Sequence, residues 1–133
     1  MTDRRLAFVI AVVDDDRRIL ESLESLLESA DYGVRLFPSA KALLESGCLT
    51  DIDCLISDIC MPAMDGFDLL RVVHADRPEL PIIVISGQPD MLHRLPPVST
   101  GPYRVFKKPF DGQELLTAVS DLLRHPRPRN PEL

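Results

Sequence analysis

Ala7-Phe8-Val9-Ile10-Ala11-Val12-Val13-Asp14-Asp15-Asp16 sets an unbroken apolar run against three consecutive acids. A short continuous run of this kind reads as a strand buried on both faces, because a strand with one wet face alternates apolar with polar. The period then changes. Ile19, Leu20, Leu23, Leu26 and Leu27 recur at spacings of three and four, with Glu21, Glu24 and Glu28 on the opposite side, which is an amphipathic helix. Gly33 is expected to end that unit in a left-handed conformation. Val34-Arg35-Leu36-Phe37 follows as a second, shorter strand.

The same alternation runs on through the chain. Ser39 is placed to cap a short helix through Leu44. Cys54-Leu55-Ile56-Ser57 is a third strand that ends at Asp58. Phe67, Leu69, Leu70 and Val73 form a helical stripe, and Asp65 and Asp68 are expected to cap or flank that helix. Ile82-Ile83-Val84-Ile85 is a fourth strand and Tyr103-Arg104-Val105-Phe106 a fifth. A last helix is expected from Asp111, with Glu114 in its first turn and Leu115, Leu116, Val119, Leu122 and Leu123 facing inward. Between strands four and five, Pro96-Pro97 and Gly101-Pro102 predict a short or disrupted fourth helix.

Five strand–helix units imply an α/β fold, a single doubly wound parallel sheet of flavodoxin-like order 2-1-3-4-5. One domain is expected over residues 1–124, with 125–133 a proline-rich tail or the start of a linker. The formal net charge of −6 argues against direct nucleic acid binding by this chain. No apolar run approaches the roughly 20 residues that span a bilayer, and no signal-peptide pattern opens the chain, so a cytoplasmic protein is expected. Cys48, Cys54 and Cys60 form no C-x-x-C pair. They are read as reduced, mostly buried thiols, with neither a disulfide framework nor a zinc site.

In open sheets of this type ligands sit at the carboxyl ends of the strands. The residues there are Asp14-Asp15-Asp16, Asp58, Ser86-Gly87 and Lys108-Pro109. Acids gathered in one place raise one another's pKa unless a cation compensates them. Mg²⁺ takes oxygen ligands and suits a few carboxylates plus a phosphate. A lysine and a small hydroxyl group can hold the remaining phosphoryl oxygens, and aspartate can form an acyl phosphate.

At these positions the sequence resembles the response-regulator receiver domain of two-component signal transduction. The resemblance covers roughly residues 7–124 and rests on four stretches in order: Val12 to Asp15, Ser57 to Gly66, Val84 to Gly87 and Lys107 to Phe110. It implies a phosphoacceptor signalling domain rather than an enzyme with a separate substrate. Asp58 would be the phosphoacceptor and a metal ligand. Asp14 and Asp15 would hold Mg²⁺, with the backbone carbonyl of Cys60 as a further ligand. Ser86 would be the switch hydroxyl, Gly87 would keep the approach open, and Lys108 would pair with a phosphoryl oxygen. Lys108-Pro109 would be a cis peptide bond. Cys60 and Gln88 would face the acceptor and influence the lifetime of the phosphoryl group. The implied donor is a histidine kinase or histidine phosphotransfer protein, the output protein is unnamed, and homodimerisation is left open.

Several residues have plainer readings. Asp16 is expected to serve the following helix as an N-terminal acid. Lys107 reads as a solvated charge, and His74, His93 and His125 as surface or packing residues. The chain departs from the family at Val105, three residues before the lysine, where an aromatic residue is usual; Tyr103 and Phe106 are out of register. That departure and the interrupted fourth helix favour the alternative of a vestigial receiver acting as a phosphorylation-independent interaction module. A phosphatase reading of the D-x-D at Asp14 to Asp16 is weaker, because Arg18 stands where such motifs carry Thr or Val.

Overall fold

Within residues 8–58, 66–87 and 103–124, which the computed structural model describes, strands and helices alternate. They are β1 (Val9–Val13), α1 (Arg17–Ser29), β2 (Gly33–Phe37), α2 (Ala40–Ser46), β3 (Cys54–Asp58), α3 (Gly66–Asp76), β4 (Ile82–Ser86), β5 (Tyr103–Lys107) and α4 (Gly112–Arg124), with a 3-10 turn over Cys48–Thr50. All strand pairs are parallel, in the order β2-β1-β3-β4-β5. The expected doubly wound sheet is therefore present. The expected fourth helix and the tail at 125–133 lie outside the described residues.

The pleat divides the core into two layers. Ala11, Val13, Leu55 and Val84 face one side, where they pack with Leu43 of α2 and with Leu69 and Val73 of α3. Ile10, Val12, Ile56, Ile83 and Ile85 face the other, against Leu20, Leu23 and Leu27 of α1 and Leu115 and Val119 of α4. Both faces of β1, β3 and β4 are covered, which is why these strands are apolar up to the buried polar residues at the carboxyl ends of β3 and β4, Ser57, Asp58 and Ser86. Each fully buried large aliphatic side chain contributes about 1.5–3 kcal/mol of transfer free energy.

The helix ends are set by side chains and turns. Asp16 caps α1 by accepting from the Arg18 N–H at 2.9 Å, Ser39 caps α2 through the Ala42 N–H at 3.0 Å, and Asp111 accepts from the Gln113 N–H at 2.9 Å at the start of α4. The end of α1 differs from the expectation. Gly33 opens β2, and the left-handed residue is Asp31, with φ 71°. The Asp31 N–H donates to the Glu28 carbonyl and the Tyr32 N–H to the Leu27 carbonyl. This is the Schellman arrangement, and aspartate tolerates the left-handed region better than most non-glycine residues. Asp31→Gly is expected to stabilise the fold by about 0.5–1 kcal/mol, because glycine enters that region without a Cβ penalty. A urea midpoint that is unchanged or lower would contradict this.

The two described cysteines differ in their surroundings. Cys54 is fully buried, but Cys48 is only partly covered and accepts a hydrogen bond from Arg35 Nη1 at 3.1 Å. Burial, with the nearby Asp53 charge, pushes the Cys54 thiol up to about 12. The Ser46 hydroxyl and the Arg35 guanidinium hold Cys48 below the ordinary thiol value. Iodoacetamide at neutral pH should therefore label Cys48 in the native protein and reach Cys54 only on unfolding, a rate difference of about a hundredfold or more. Peptide mapping reads this directly, and equal native labelling of both would contradict it. Cys60 lies outside the described residues.

Candidate functional site

β1 and β3 pair with Ile10 opposite Cys54 and Val12 opposite Ile56. Continuing that register by one pleat brings Asp14 level with Asp58, on the same face of the sheet. Both acids are buried, Asp14 at 1% exposure and Asp58 at 4%. The Asp14 backbone N–H donates to the Phe37 carbonyl at 3.2 Å, which extends the β1–β2 ladder past the last strand residue. Asp14 Oδ1 accepts from the Asp16 N–H at 2.9 Å. The side chain is thereby aimed before α1 begins.

Lys108 comes from beyond β5. Ser86 pairs with Lys107 across β4 and β5, and the Lys108 N–H donates to the Ser86 carbonyl at 2.8 Å. The Lys108–Pro109 peptide is cis, as expected. Lys108 Nζ lies 3.2 Å from Asp14 Oδ2 and 3.2 Å from Asp58 Oδ2, with its side chain 25% exposed. Ser86 is fully buried at the end of β4. Gly87 is exposed, and a Cβ there would meet the Lys108 stem only at ordinary contact distance, 3.8 Å from Cδ.

The charges act on one another. Burial pushes the Asp14 carboxyl above its ordinary value, and the Asp58 charge adds to this, while the Asp16 N–H and Lys108 oppose it. Burial works against the Lys108 ammonium, but Asp14 and Asp58 outweigh it and its pKa is raised. One carboxylate oxygen from each of Asp14, Asp15 and Asp58 lies within 4.8 Å of the others, with Asp15 exposed and the other two buried. A compact, all-oxygen, anionic donor set fits a hard divalent cation such as Mg²⁺.

The structure thus brings together Asp14, Asp15, Asp58 and Lys108, drawn from β1, β3 and the end of β5, with Ser86 at the end of the intervening β4. Cys60 and Gln88 lie outside the described residues, as do Asp65, His93 and His125. Asp16 is turned to its capping contact, Lys107 is exposed and His74 is partly exposed. Asp68 sits in the first turn of α3 and pairs with Arg71. Val105 is 38% exposed on β5. The contact between the Asp14 carboxylate and the Asp16 N–H was not foreseen, since only the backbone path after β1 reveals it.

Fold and site together define a doubly wound α/β protein with an acidic crevice at the switch in strand order. The family model of the response regulator receiver domain matches residues 10–120. Response regulator protein TodT of Pseudomonas putida is 38% identical over 124 residues, which cover 93% of this chain and 54% of that protein. Transcriptional regulatory protein FixJ of Bradyrhizobium diazoefficiens is 33% identical over 119 residues, covering 90% and 58%. The signal receiver domain of an HD domain-containing protein from Pseudomonas fluorescens Pf-5 matches with a TM-score of 0.78 at 31% identity, covering 90% of this chain and 96% of that one. The chain belongs to the response regulator receiver domain family of two-component systems. It spans about half the length of these curated relatives. Among the described residues no helix is long and apolar enough to cross a membrane.

Proposed function

We propose that Asp58 accepts a phosphoryl group from a histidine kinase or histidine phosphotransfer protein in a Mg²⁺-dependent reaction, and that the resulting acyl phosphate changes which partner the surface binds. The observation that carries this reading is the ammonium of Lys108 held 3.2 Å from two buried carboxylates, beside a third. An Asp58 carboxylate oxygen attacks phosphorus as the bond from phosphorus to the donor imidazole nitrogen breaks. Lys108 holds a phosphoryl oxygen, and the Ser86 hydroxyl donates to another. Asp14, Asp15 and Asp58, with the Cys60 carbonyl, would hold the metal. Bound there, Mg²⁺ offsets the charge of carboxylates and phosphoryl oxygens.

On this reading residues 1–124 form the receiver unit and 125–133 a tail or linker, and the protein acts in the cytoplasm on no separate substrate. The exposed Val105 favours the second reading, an interaction module that works without phosphorylation, because it offers no aromatic ring to report on Ser86. Incubation with acetyl phosphate and Mg²⁺ separates the two. Intact mass should rise by one phosphoryl group, and chelation of Mg²⁺ should prevent the gain. An unchanged mass would favour the second reading.

A further inference from the structure

We infer that the proline- and arginine-rich segment at residues 125–133 folds back onto its own chain and docks in the surface groove between the end of α1 and α4. This goes beyond the proposed function and does not depend on phosphorylation. The groove has a volume of about 400 Å³. Ala30 and Tyr32 line it from the end of α1, and Leu116, Thr117, Ser120 and Asp121 from one stripe of α4. Its apolar surface comes from Tyr32 and Leu116, which pack against the core layer beneath and stay partly exposed. The α1 wall is fixed, because the Ala30 and Tyr32 N–H groups both donate to the Leu27 carbonyl. Asp121 is the charged residue of the lining. It is half-buried, and none of the ion pairs among the described residues involves it.

The segment His-Pro-Arg-Pro-Arg-Asn-Pro-Glu-Leu, which follows α4 directly, matches this groove in chemistry and in reach. Pro128-Arg129-Asn130-Pro131 is a P-x-x-P unit. Such units favour the left-handed polyproline helix, whose three residues per turn put Pro128 and Pro131 on one edge. Two prolines on one edge suit an apolar surface that carries an aromatic ring, and a stiff segment loses little conformational entropy on docking. Arg127 and Arg129 flank that edge with the charge that Asp121 calls for. Pro126 keeps α4 from continuing, since the residue before a proline disfavours helical backbone. The chain therefore leaves the helix at Arg124, about one turn beyond Asp121. The α4 stripe from Asp121 back to Gln113 is about 12 Å long. Residues 125–133 in polyproline form reach roughly 28 Å, enough to turn back and cover it. Covalent attachment gives the segment an effective concentration on the order of millimolar at the groove, so modest contacts suffice to seat it.

The test is NOE spectroscopy of the full chain, of Asp121→Arg, of the double variant Arg127→Glu/Arg129→Glu, and of the three changes combined. Wild type should show cross-peaks between the Tyr32 ring and Pro128 or Pro131. Reversing Asp121, or both arginines, should weaken them about two- to fivefold, and the combination should restore most of the loss. Glu45→Arg reverses a charge on α2, across the sheet, and should leave them unchanged. Circular dichroism follows the folded fraction. If Asp121→Arg is unfolded, the double variant, altered only in the terminal segment, decides: undiminished cross-peaks there overturn the inference. Absence of Tyr32–proline cross-peaks in wild type also overturns it. Cross-peaks that fade on tenfold dilution overturn it in favour of the segment of a second copy. Equal weakening by Glu45→Arg overturns it in favour of a general charge effect.

Discussion

Asp58→Asn is expected to gain no phosphoryl group under conditions that load the wild-type chain with one. The substitution removes the anionic oxygen that attacks phosphorus and leaves an amide in its place. The neighbouring acids are poor replacements. Asp14 is buried and committed to the Asp16 N–H and to Lys108, and Asp15 is exposed at the rim. Since isolated positioning groups do not replace the reacting atom, the expected effect is abolition rather than slowing. Intact mass after acetyl phosphate and Mg²⁺ measures it. Labelling of Asp58→Asn to the wild-type extent would move the acceptor elsewhere.

The second large effect is on stability and has the opposite sign to most buried substitutions. Asp14→Asn is expected to raise the stability of the metal-free protein, since burial and the Asp58 charge both oppose ionisation at residue 14. The sign follows from the raised carboxyl. A folded state that holds the proton more tightly than the unfolded chain loses stability as pH rises through the raised value, so at neutral pH the ionised Asp14 is a net cost. Asparagine keeps an oxygen for the Asp16 N–H and removes the charge. A higher melting temperature without metal is the readout of that change. The same variant should lose most of its response to Mg²⁺, which stabilises wild type by binding the folded state alone. A lower melting temperature without metal, or an undiminished rise with it, would count against this account.

The strands were legible because β1, β3 and β4 are buried on both faces, so each opens with an apolar run that ends at an acid or a serine. The sites were legible for a related reason: a charged residue directly after such a run sits at the carboxyl end of the sheet wherever the sheet places it. The misreading at Gly33 came from a local preference. Glycine is the usual left-handed residue, but at the end of α1 the hydrogen bonds to Leu27 and Glu28 place Asp31 there and leave Gly33 to start β2. Burial is the common state of a free cysteine, and what the sequence did not reveal is that the turn after α2 sets the partly buried Cys48 beside Arg35. The family pattern implied Lys108 near Asp58. It did not say that the ammonium would lie equally close to Asp14, which depends on the relative heights of three strand ends.

Beryllofluoride, which stands in for a phosphoryl group on a carboxylate, tests the gathering of these groups most directly. Fluorine NMR of the wild-type chain should show a bound signal that requires Mg²⁺ and is absent from Asp58→Asn. No bound signal in the presence of Mg²⁺, or one that persists without it, would contradict a metal-dependent phosphoryl site built from Asp14, Asp15, Asp58 and Lys108.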